Sequence, residues 1–325
     1  MVKGYGFHTP VLVREVLELL DLQPGMTVLD CTLGGGGHSE QMALAISPGG
    51  SLIALDRDEA AIAEAKVRLE PLRSQVAISL LHIAFANLRQ ALITTSNGSS
   101  FGLDACLFDL GVSSYQLDSA VGFSFRRDEL LDGRMDRTGS EPTIAELLRS
   151  ITEEALTKAL LEYGEEPFAR KISRQIIKDR QTGNPVETTG HLVSIVERAV
   201  PRSAWPRDKH VATKVFQALR ILCNQELEQF EIGLNAAIDS LKPGGRVAVI
   251  SWHSLEDRIC KSVFAKRAGK APSPSGYSIA ALSPLENSVK PELEIITRKP
   301  VVPDQLEINS NHRARTARLR VAKRI

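Results

Sequence analysis

The chain has 325 residues, a formal net charge of +1 and four widely spaced cysteines. The near-neutral charge gives no argument for a nucleic-acid partner from the chain as a whole. No apolar run reaches the roughly 18 residues that a membrane-spanning helix needs, and residues 1–20 lack the apolar core of a secretory signal. Without a C-x-x-C pair the cysteines predict neither a metal site nor a redox pair. We therefore expect a cytoplasmic enzyme with buried free thiols.

The first third of the chain alternates predicted strands and helices. Apolar, β-prone runs predict strands at 27–31, 52–56, 76–80 and 104–109. A helix is predicted over 57–70, because Asp56 or Asp58 can cap its start and apolar residues follow at helical spacing. This alternation is typical of a doubly wound α/β sheet.

The alternation stops after Asp109. Between 118 and 205 the sequence predicts helices and turns, with helix starts after Pro142 and at Thr152 and helical patterns over 167–180 and 188–200. We therefore assign 118–205 to an inserted helical domain. Residues 1–117 and 206–325 form the enclosing sheet domain.

The sheet pattern resumes after the insert. Apolar residues from Phe216 to Leu241 recur every three or four positions and predict one long amphipathic helix, straight or kinked. Strands are predicted at 246–251, 292–298 and 316–322. The Pro-, Ser- and Gly-rich stretch 269–291 predicts a mobile loop.

A glycine-rich turn lies between the first predicted strand and a helix. Four glycines, Gly34 to Gly37, follow the predicted strand 27–31, which contains Asp30, and the next predicted strand ends in Asp56. Glycines let a ligand approach the backbone, and a carboxylate at the second strand end can bind both hydroxyls of a ribose. Neither the dinucleotide pattern G-x-G-x-x-G nor a P-loop fits. The pattern suits S-adenosylmethionine (SAM), and a plain βαβ turn with surplus glycine is the alternative.

Motifs that carry a family resemblance run nearly from one end of the chain to the other. They are His8-Thr9-Pro10-Val11-Leu12, Gly34 to His38, Ala54-Leu55-Asp56-Arg57-Asp58, Asp109-Leu110-Gly111-Val112-Ser113-Ser114, Gln116-Leu117-Asp118, Gly122-Phe123-Ser124-Phe125, Arg134-Met135-Asp136, Tyr163-Gly164-Glu165-Glu166, Phe216-Gln217-Ala218-Leu219-Arg220, Ser251-Trp252-His253-Ser254-Leu255-Glu256-Asp257-Arg258 and Arg313-Ala314-Arg315. Each is weak alone, but their joint order is specific. In these motifs the chain resembles the bacterial family that methylates the exocyclic N4 of a cytosine in the decoding region of 16S rRNA.

The resemblance implies a class I SAM-dependent methyltransferase fold in which the helical insert, 118–205, recognises the rRNA substrate. It also implies cytosine 1402, in rRNA numbering, as the target. It implies cofactor contacts from Gly36, Gly37, His38, Asp56 at the ribose, Phe85 at the adenine, Asp109 and Gln116. It also implies 16S rRNA as partner, within the small ribosomal subunit, and leaves a homodimer open. No metal is implied. The chain departs from the family pattern at Tyr115, Pro167, Leu131, Gly133 and His312, positions that bear on the shape of the substrate cleft and not on the cofactor contacts.

The chemistry identifies Asp109 as the main catalytic candidate. The N4 amine of cytosine is a poor nucleophile, so the enzyme must align it with the methyl group and accept its hydrogen bonds; alignment can contribute about 7–11 kcal/mol. Asp109 ends the fourth strand beside the cofactor crevice, where it serves as that acceptor or only binds cofactor. His253, just past the fifth strand, is a secondary candidate, and a structural histidine is the alternative.

Local clusters of basic residues indicate a polyanion, although each cluster alone fits a solvated face. Our candidates for RNA contact are Tyr115, Arg134, Arg170, Lys171, Arg174, Arg313 and Arg315. Tyr115 could stack on a flipped base. The alternatives are a SAM enzyme acting on DNA or a small molecule, and a ribosome-binding factor without catalysis. The sequence Asp109-Leu110-Gly111-Val112 replaces the Pro-Pro-aromatic motif of amino-methylating DNA enzymes, which disfavours DNA.

Overall fold

The computed structural model describes residues 10–95, 102–111, 121–122, 124, 127–270 and 290–325. The chain divides into two compact units. Unit 1 comprises Met1–Gly111 and Leu227–Ile325, and unit 2 comprises Val112–Glu226. Unit 2 therefore extends to both sides of the 118–205 range assigned to the insert, and the domain bounds remain a proposal.

Unit 1 begins with four strands that alternate with helices. The elements are α1 (Val13–Leu20), β1 (Thr27–Asp30), α2 (Gly37–Ile46), β2 (Ser51–Asp56), α3 (Glu59–Leu69), β3 (Ala77–His82), α4 (Leu88–Thr95) and β4 (Leu103–Asp109). Unit 2 follows with α5 (Ile144–Ser150), α6 (Glu153–Glu162), α7 (Ala169–Gln181), α8 (Thr189–Ala199) and α9 (Thr213–Asn224). The chain returns to unit 1 through α10 (Glu226–Ser240), β5 (Leu241–Ser251), α11 (Ser254–Arg267), β6 (Leu293–Ile295), α12 (Gln305–Ser310) and β7 (Arg318–Arg324).

A seven-stranded sheet in the order β3-β2-β1-β4-β5-β7-β6 organises unit 1. Strands β1 to β5 pair in parallel, whereas β7 runs antiparallel to both β5 and β6. The inner strands are buried on both faces, as expected for parallel strands covered by helices. This topology confirms the predicted α/β fold and places the carboxyl ends of β2, β1 and β4 side by side.

Two apolar layers cover the sheet of unit 1. One face packs Phe108 of β4 edge-on against Phe230 of α10, with ring centroids 5.7 Å apart. The other buries Val28 and Leu52 with residues of α1, α2 and α3. Because both faces are closed, polar ligands reach the sheet at the ends of its strands.

Unit 2 is a helical body with its own core. Leu156 of α6, Ile172 of α7, Leu192 of α8 and Leu219 of α9 are at most 1% exposed and belong to one apolar cluster. Among the described residues of unit 2, the only β-type pairing is an isolated bridge between Leu130 and Thr188.

The predicted long helix over 216–241 is two helices. Helix α9 ends at Asn224, and Gln225 adopts a left-handed backbone (φ 51°) before α10 starts. Buried Asn224 explains the break: its Nδ2 donates to the carbonyl of Gly133 at 2.9 Å, and its Oδ1 accepts from the backbone N–H of Met135 at 2.8 Å. These contacts tie the end of α9 into unit 2.

The remaining predicted elements differ mainly at their ends. Strand β5 starts at Leu241 instead of 246, because Leu241 already pairs with Leu103 of β4; residues 242–245 then bulge out of register before Arg246 pairs with Ala105. Strand β6 contains only Leu293–Ile295, shorter than 292–298. Most of the predicted 269–291 loop lies outside the described residues.

Candidate active site

Three carboxylates end three adjacent strands of unit 1. Strand β1 ends at Asp30, β2 ends at Asp56 and β4 ends at Asp109. Asp30 is fully buried and accepts hydrogen bonds from Ser39 Oγ at 2.7 Å and from the backbone N–H of Thr32 at 3.0 Å. Burial raises its pKa. These bonds hold the first turn of α2 against the end of β1, so Asp30 shapes the turn between them.

The glycine turn has a backbone that only glycine adopts easily. Gly34 and Gly36 have φ of +49° and +77°. A Cβ on Gly36 would lie 3.1 Å from the Cβ of Ala65, and one on Gly37 would lie 3.1 Å from the ring of Pro10. The turn therefore combines left-handed backbone with close packing, and it leads into the first N–H groups of α2, which can bind polar ligand atoms.

Asp56 anchors the turn to the end of β2. Its Oδ2 accepts from the backbone N–H of Gly34 at 2.8 Å, and its Oδ1 accepts from the backbone N–H of Asp58 at 2.9 Å. Burial raises the pKa of Asp56 to about 6. Each carboxylate oxygen has a further lone pair, so the side chain can also accept from two ribose hydroxyls.

Asp109 is held from two sides. Its Oδ1 accepts from the indole N–H of Trp252 at 3.2 Å, and its backbone N–H donates to Thr32 Oγ1 at 2.6 Å. About a quarter of its side chain is exposed. Burial, together with the nearby charges of Asp30 and Glu256, raises its pKa to about 7. A carboxylate that is fixed, partly open and poised near neutral pH suits the role of a hydrogen-bond acceptor in a reaction.

Sequence reasoning assigned no role to Trp252. It sits in the motif that follows β5, and Gly111 packs on it: a Cβ on Gly111 would lie 3.0 Å from Trp252 Cδ1. The backbone N–H of Trp252 donates to buried Glu256 at 2.7 Å. Its place in the family motif Ser251–Arg258 was the available signal, but only the structure shows that its indole N–H faces Asp109.

His38 also reaches Asp109. Its Nε2 lies 3.5 Å from Asp109 Oδ2, and the residue is 6% exposed. The structure thus brings the predicted cofactor residue His38 next to the catalytic candidate. Gly36, Gly37, His38, Asp56 and Asp109 lie along one edge of the sheet.

Phe85 lies in a short 3₁₀ turn just before α4. Its ring packs edge-on against Phe108 at 5.7 Å between centroids, and Gly233 of α10 approaches it so closely that a Cβ would lie 2.9 Å from its ring. The ring is partly buried. It is therefore a fixed apolar surface, and its contact with adenine stays a prediction.

His253 caps α11. Its Nδ1 accepts from the backbone N–H of Glu256 at 3.4 Å, and its Nε2 lies 3.2 Å from Glu256 Oε1. Glu256 in turn accepts from the backbone N–H of His253 at 3.3 Å, which completes a capping box. Both ring nitrogens thus face Glu256, a geometry that matches the structural alternative, and a catalytic role of His253 stays a prediction.

The candidates for RNA contact in unit 2 differ in their surroundings. Arg134 forms a two-bond ion pair with Asp132, at 2.8 and 3.0 Å, and is largely buried. Arg174 is exposed and lies 3.7 Å from Glu153. Arg170 and Lys171 are exposed on α7, with the Lys171 ammonium 5.7 Å from the ring of Phe168.

The remaining site candidates lie near the carboxyl end of unit 1 or outside the described residues. Arg313 and Arg315 are exposed on a 3₁₀ turn before β7. Tyr115 and Gln116 lie outside the described residues. Within the described ranges there is no group of three potential metal-ligating side chains and no helix long and apolar enough to cross a membrane.

Comparison with known proteins gives a family model that spans nearly the whole chain. The model of the MraW methylase family matches residues 6–325. Among solved structures, an rRNA methylase from Streptococcus thermophilus is 11% identical over 100% of this chain and 99% of that one, with a TM-score of 0.42. TrmN from Thermus thermophilus is 13% identical over 97% of this chain and 48% of that one, with a TM-score of 0.42. A SAM-dependent O-methyltransferase from Thermotoga maritima is 10% identical over 96% and 64%, with a TM-score of 0.39.

Proposed function

The chain belongs to the MraW methylase family, and from this premise we propose that it transfers a methyl group from SAM to the N4 of a cytosine in 16S rRNA. It is a SAM-dependent rRNA methyltransferase. The proposal adds the atom and the position: N4 of cytosine 1402, in the decoding region. It also places the reaction in the cytoplasm, on rRNA within the small ribosomal subunit.

The residues at the strand ends fit the cofactor. The turn through Gly36 and Gly37 packs closely on Ala65 and Pro10 and leads into the first N–H groups of α2, which can donate to polar atoms of the cofactor. Asp56 offers acceptors for ribose hydroxyls, and Phe85 offers a fixed apolar ring for the adenine. When bound, SAM supplies a methyl group on a positively charged sulfur, which makes the methyl electrophilic.

The carboxylate of Asp109 carries the proposed chemistry. Trp252 holds one oxygen, which fixes the direction of the other, and about a quarter of the side chain is open to a substrate. We propose that Asp109 accepts a hydrogen bond from the N4 amine. This bond orients the nitrogen lone pair and offsets the positive charge that develops on N4 during transfer. Asp109 is ionised above its pKa of about 7 and is then a strong acceptor.

The test uses tritiated SAM and small ribosomal subunits from cells that lack this modification. After digestion of the rRNA, the label should co-elute with N4-methylcytidine. Label in 5-methylcytidine or in a 2′-O-methylated nucleoside would contradict the proposal. Parallel calorimetry of SAM binding separates two roles of Asp109: an acceptor for N4 predicts that Asp109→Asn loses turnover but retains SAM affinity, whereas a residue that only binds cofactor loses both together.

A further inference from the structure

A short segment of unit 2, residues 201–209, carries three exposed basic side chains. Arg202, Arg207 and Lys209 are exposed, and among the described residues none of them forms an ion pair with a carboxylate. Several other arginines of unit 2 do form such an ion pair. Arg134 and Arg149 pair with Asp132 and Glu187.

The basic residues that flank this segment also have partners. Arg198 lies 3.6 Å from Asp179, and Lys214 Nζ donates to the carbonyl of Glu165 at 2.8 Å. The single acid inside the segment, Asp208, is exposed and separates Arg207 from Lys209 in sequence. The segment 201–209 therefore keeps a net positive charge that is open to a ligand.

A cation–π contact with Trp205 holds Arg202 in place. The guanidinium carbon of Arg202 lies 4.0 Å from the ring centroid of Trp205, a close cation–π contact. The indole is itself fixed: it packs partly against the core of unit 2, and its Nε1 donates to the carbonyl of Val200 at 3.1 Å. One face of the guanidinium thus rests on a rigid ring, and Arg202 is exposed.

The backbone of the segment is also preorganised. Pro201 precedes Arg202 and Pro206 follows Trp205, and each proline restricts its own φ and the preceding residue. A 3₁₀ turn spans Arg202–Ala204, closed by the bond from the backbone N–H of Ala204 to the carbonyl of Pro201 at 2.9 Å. Little conformational entropy is therefore lost when a ligand binds to this surface.

We propose that the segment 201–209 is a contact site for single-stranded RNA, with a base stacked on Arg202 and neighbouring phosphates on Arg207 and Lys209. Arginine planes and aromatic rings are the usual stacking partners of unpaired bases in RNA-binding proteins. Unpaired exposed cations bind phosphates at low cost, because no internal ion pair has to break first. The proposal rests on the proposed function for its choice of RNA and adds the surface that holds it.

The test measures binding of the full-length protein to a fluorescein-labelled RNA with the decoding-region sequence, at several salt concentrations. Each phosphate contact on a single strand contributes about 0.7 to the slope of log affinity against log salt. The variant Arg207→Gln/Lys209→Gln should therefore lower that slope by about 1.4. Arg202→Lys keeps the charge but loses the plane, so the slope should stay unchanged while affinity falls by about fivefold or more.

A control variant removes the same charge elsewhere. Lys66→Gln/Lys299→Gln changes two exposed lysines of unit 1 and should leave slope and affinity as in the wild type. Thermal melting of each variant checks that the fold is retained. With small subunits as substrate, Arg202→Lys should raise KM and leave kcat unchanged.

The outcomes separate this inference from the proposed function. Equal slopes and affinities in wild type and variants, or no saturable binding of the RNA by the wild type, would overturn the contact site. The proposed function fails on a different readout, the absence of N4-methylcytidine from treated subunits. A variant that binds RNA normally and also forms this nucleoside would refute the contact site alone.

Discussion

Replacing Asp109 by asparagine should stabilise the protein at alkaline pH while it removes the activity. The folded state raises the pKa of Asp109 from 3.8 to about 7. Between these values the folded protein holds a proton that the unfolded chain has lost, so this group lowers the stability as pH rises through that window. Above pH 7 this loss of folding stability reaches its full size of about 4 kcal/mol, because the pKa differs by roughly three units and each unit corresponds to about 1.4 kcal/mol.

The size of the effect depends on pH in a way that isolates the carboxylate. At pH 5.5 the carboxyl group of Asp109 lowers the free energy of unfolding by only about 2 kcal/mol, because the group is still protonated in the folded protein at this pH. Asparagine does not ionise, so its contribution to stability does not change with pH, and its side-chain oxygen can still accept from the indole N–H of Trp252. The advantage of Asp109→Asn over the wild type should therefore grow by about 2 kcal/mol between pH 5.5 and 8.5. For a domain of this size that is about 4–8 °C in Tm.

The assay is thermal unfolding of wild type and Asp109→Asn, followed by circular dichroism at both pH values. The exposed carboxylate of Asp208 offers a matched control, since Asp208→Asn removes the same charge from a solvated position. Its difference from the wild type should not change with pH by more than about 0.5 kcal/mol. A Tm difference for Asp109→Asn that is the same at pH 5.5 and 8.5 would refute the burial of this charge.

Three further predictions concern the cofactor turn and the support of the carboxylate. Gly36→Ala forces a Cβ into a left-handed, closely packed position, so SAM affinity measured by calorimetry should fall at least tenfold. The control is Gly49→Ala, which has a similar backbone φ but open space around it; it should lower the stability and leave SAM affinity unchanged. Burial raises the pKa of Asp56 to about 6, so SAM affinity should weaken as pH falls through 6, and Asp56→Asn should bind SAM weakly at every pH. If the variant showed the same dependence of SAM affinity on pH as the wild type, the ribose contact would be contradicted. The indole N–H of Trp252 lowers the pKa of Asp109, so Trp252→Phe should move the acidic limb of the pH–rate profile to higher pH, and a profile that does not move would show that this bond does not tune the carboxylate.

The sequence predicted the ends of β2, β4 and β5 correctly, because they follow a simple rule. Each parallel strand is an apolar run that stops at a polar residue, and Asp56 and Asp109 mark two of these stops directly. The glycine turn was also visible, since a left-handed backbone such as that of Gly36 requires glycine. These features are local, and the topology of a doubly wound sheet then brings them together.

Features that depend on distant contacts were not predictable. The break between α9 and α10 depends on Asn224, whose partners Gly133 and Met135 lie about 90 positions earlier in the chain. Trp252 acquires its role only because β5 pairs beside β4 and brings its indole to Asp109. Likewise, basic residues look alike in sequence, but Arg134 is neutralised by Asp132 whereas Arg202 is not.

The most direct test of the account is the position of the transferred methyl group along the rRNA. After incubation of unmodified small subunits with labelled SAM, ribonuclease fragments of 16S rRNA are separated and weighed by mass spectrometry. We expect one labelled fragment, from the decoding region, that contains N4-methylcytidine and is missing with Asp109→Ala. Label spread over many fragments, or label that persists with Asp109→Ala, would contradict the claim that this carboxylate directs methyl transfer to a single cytosine.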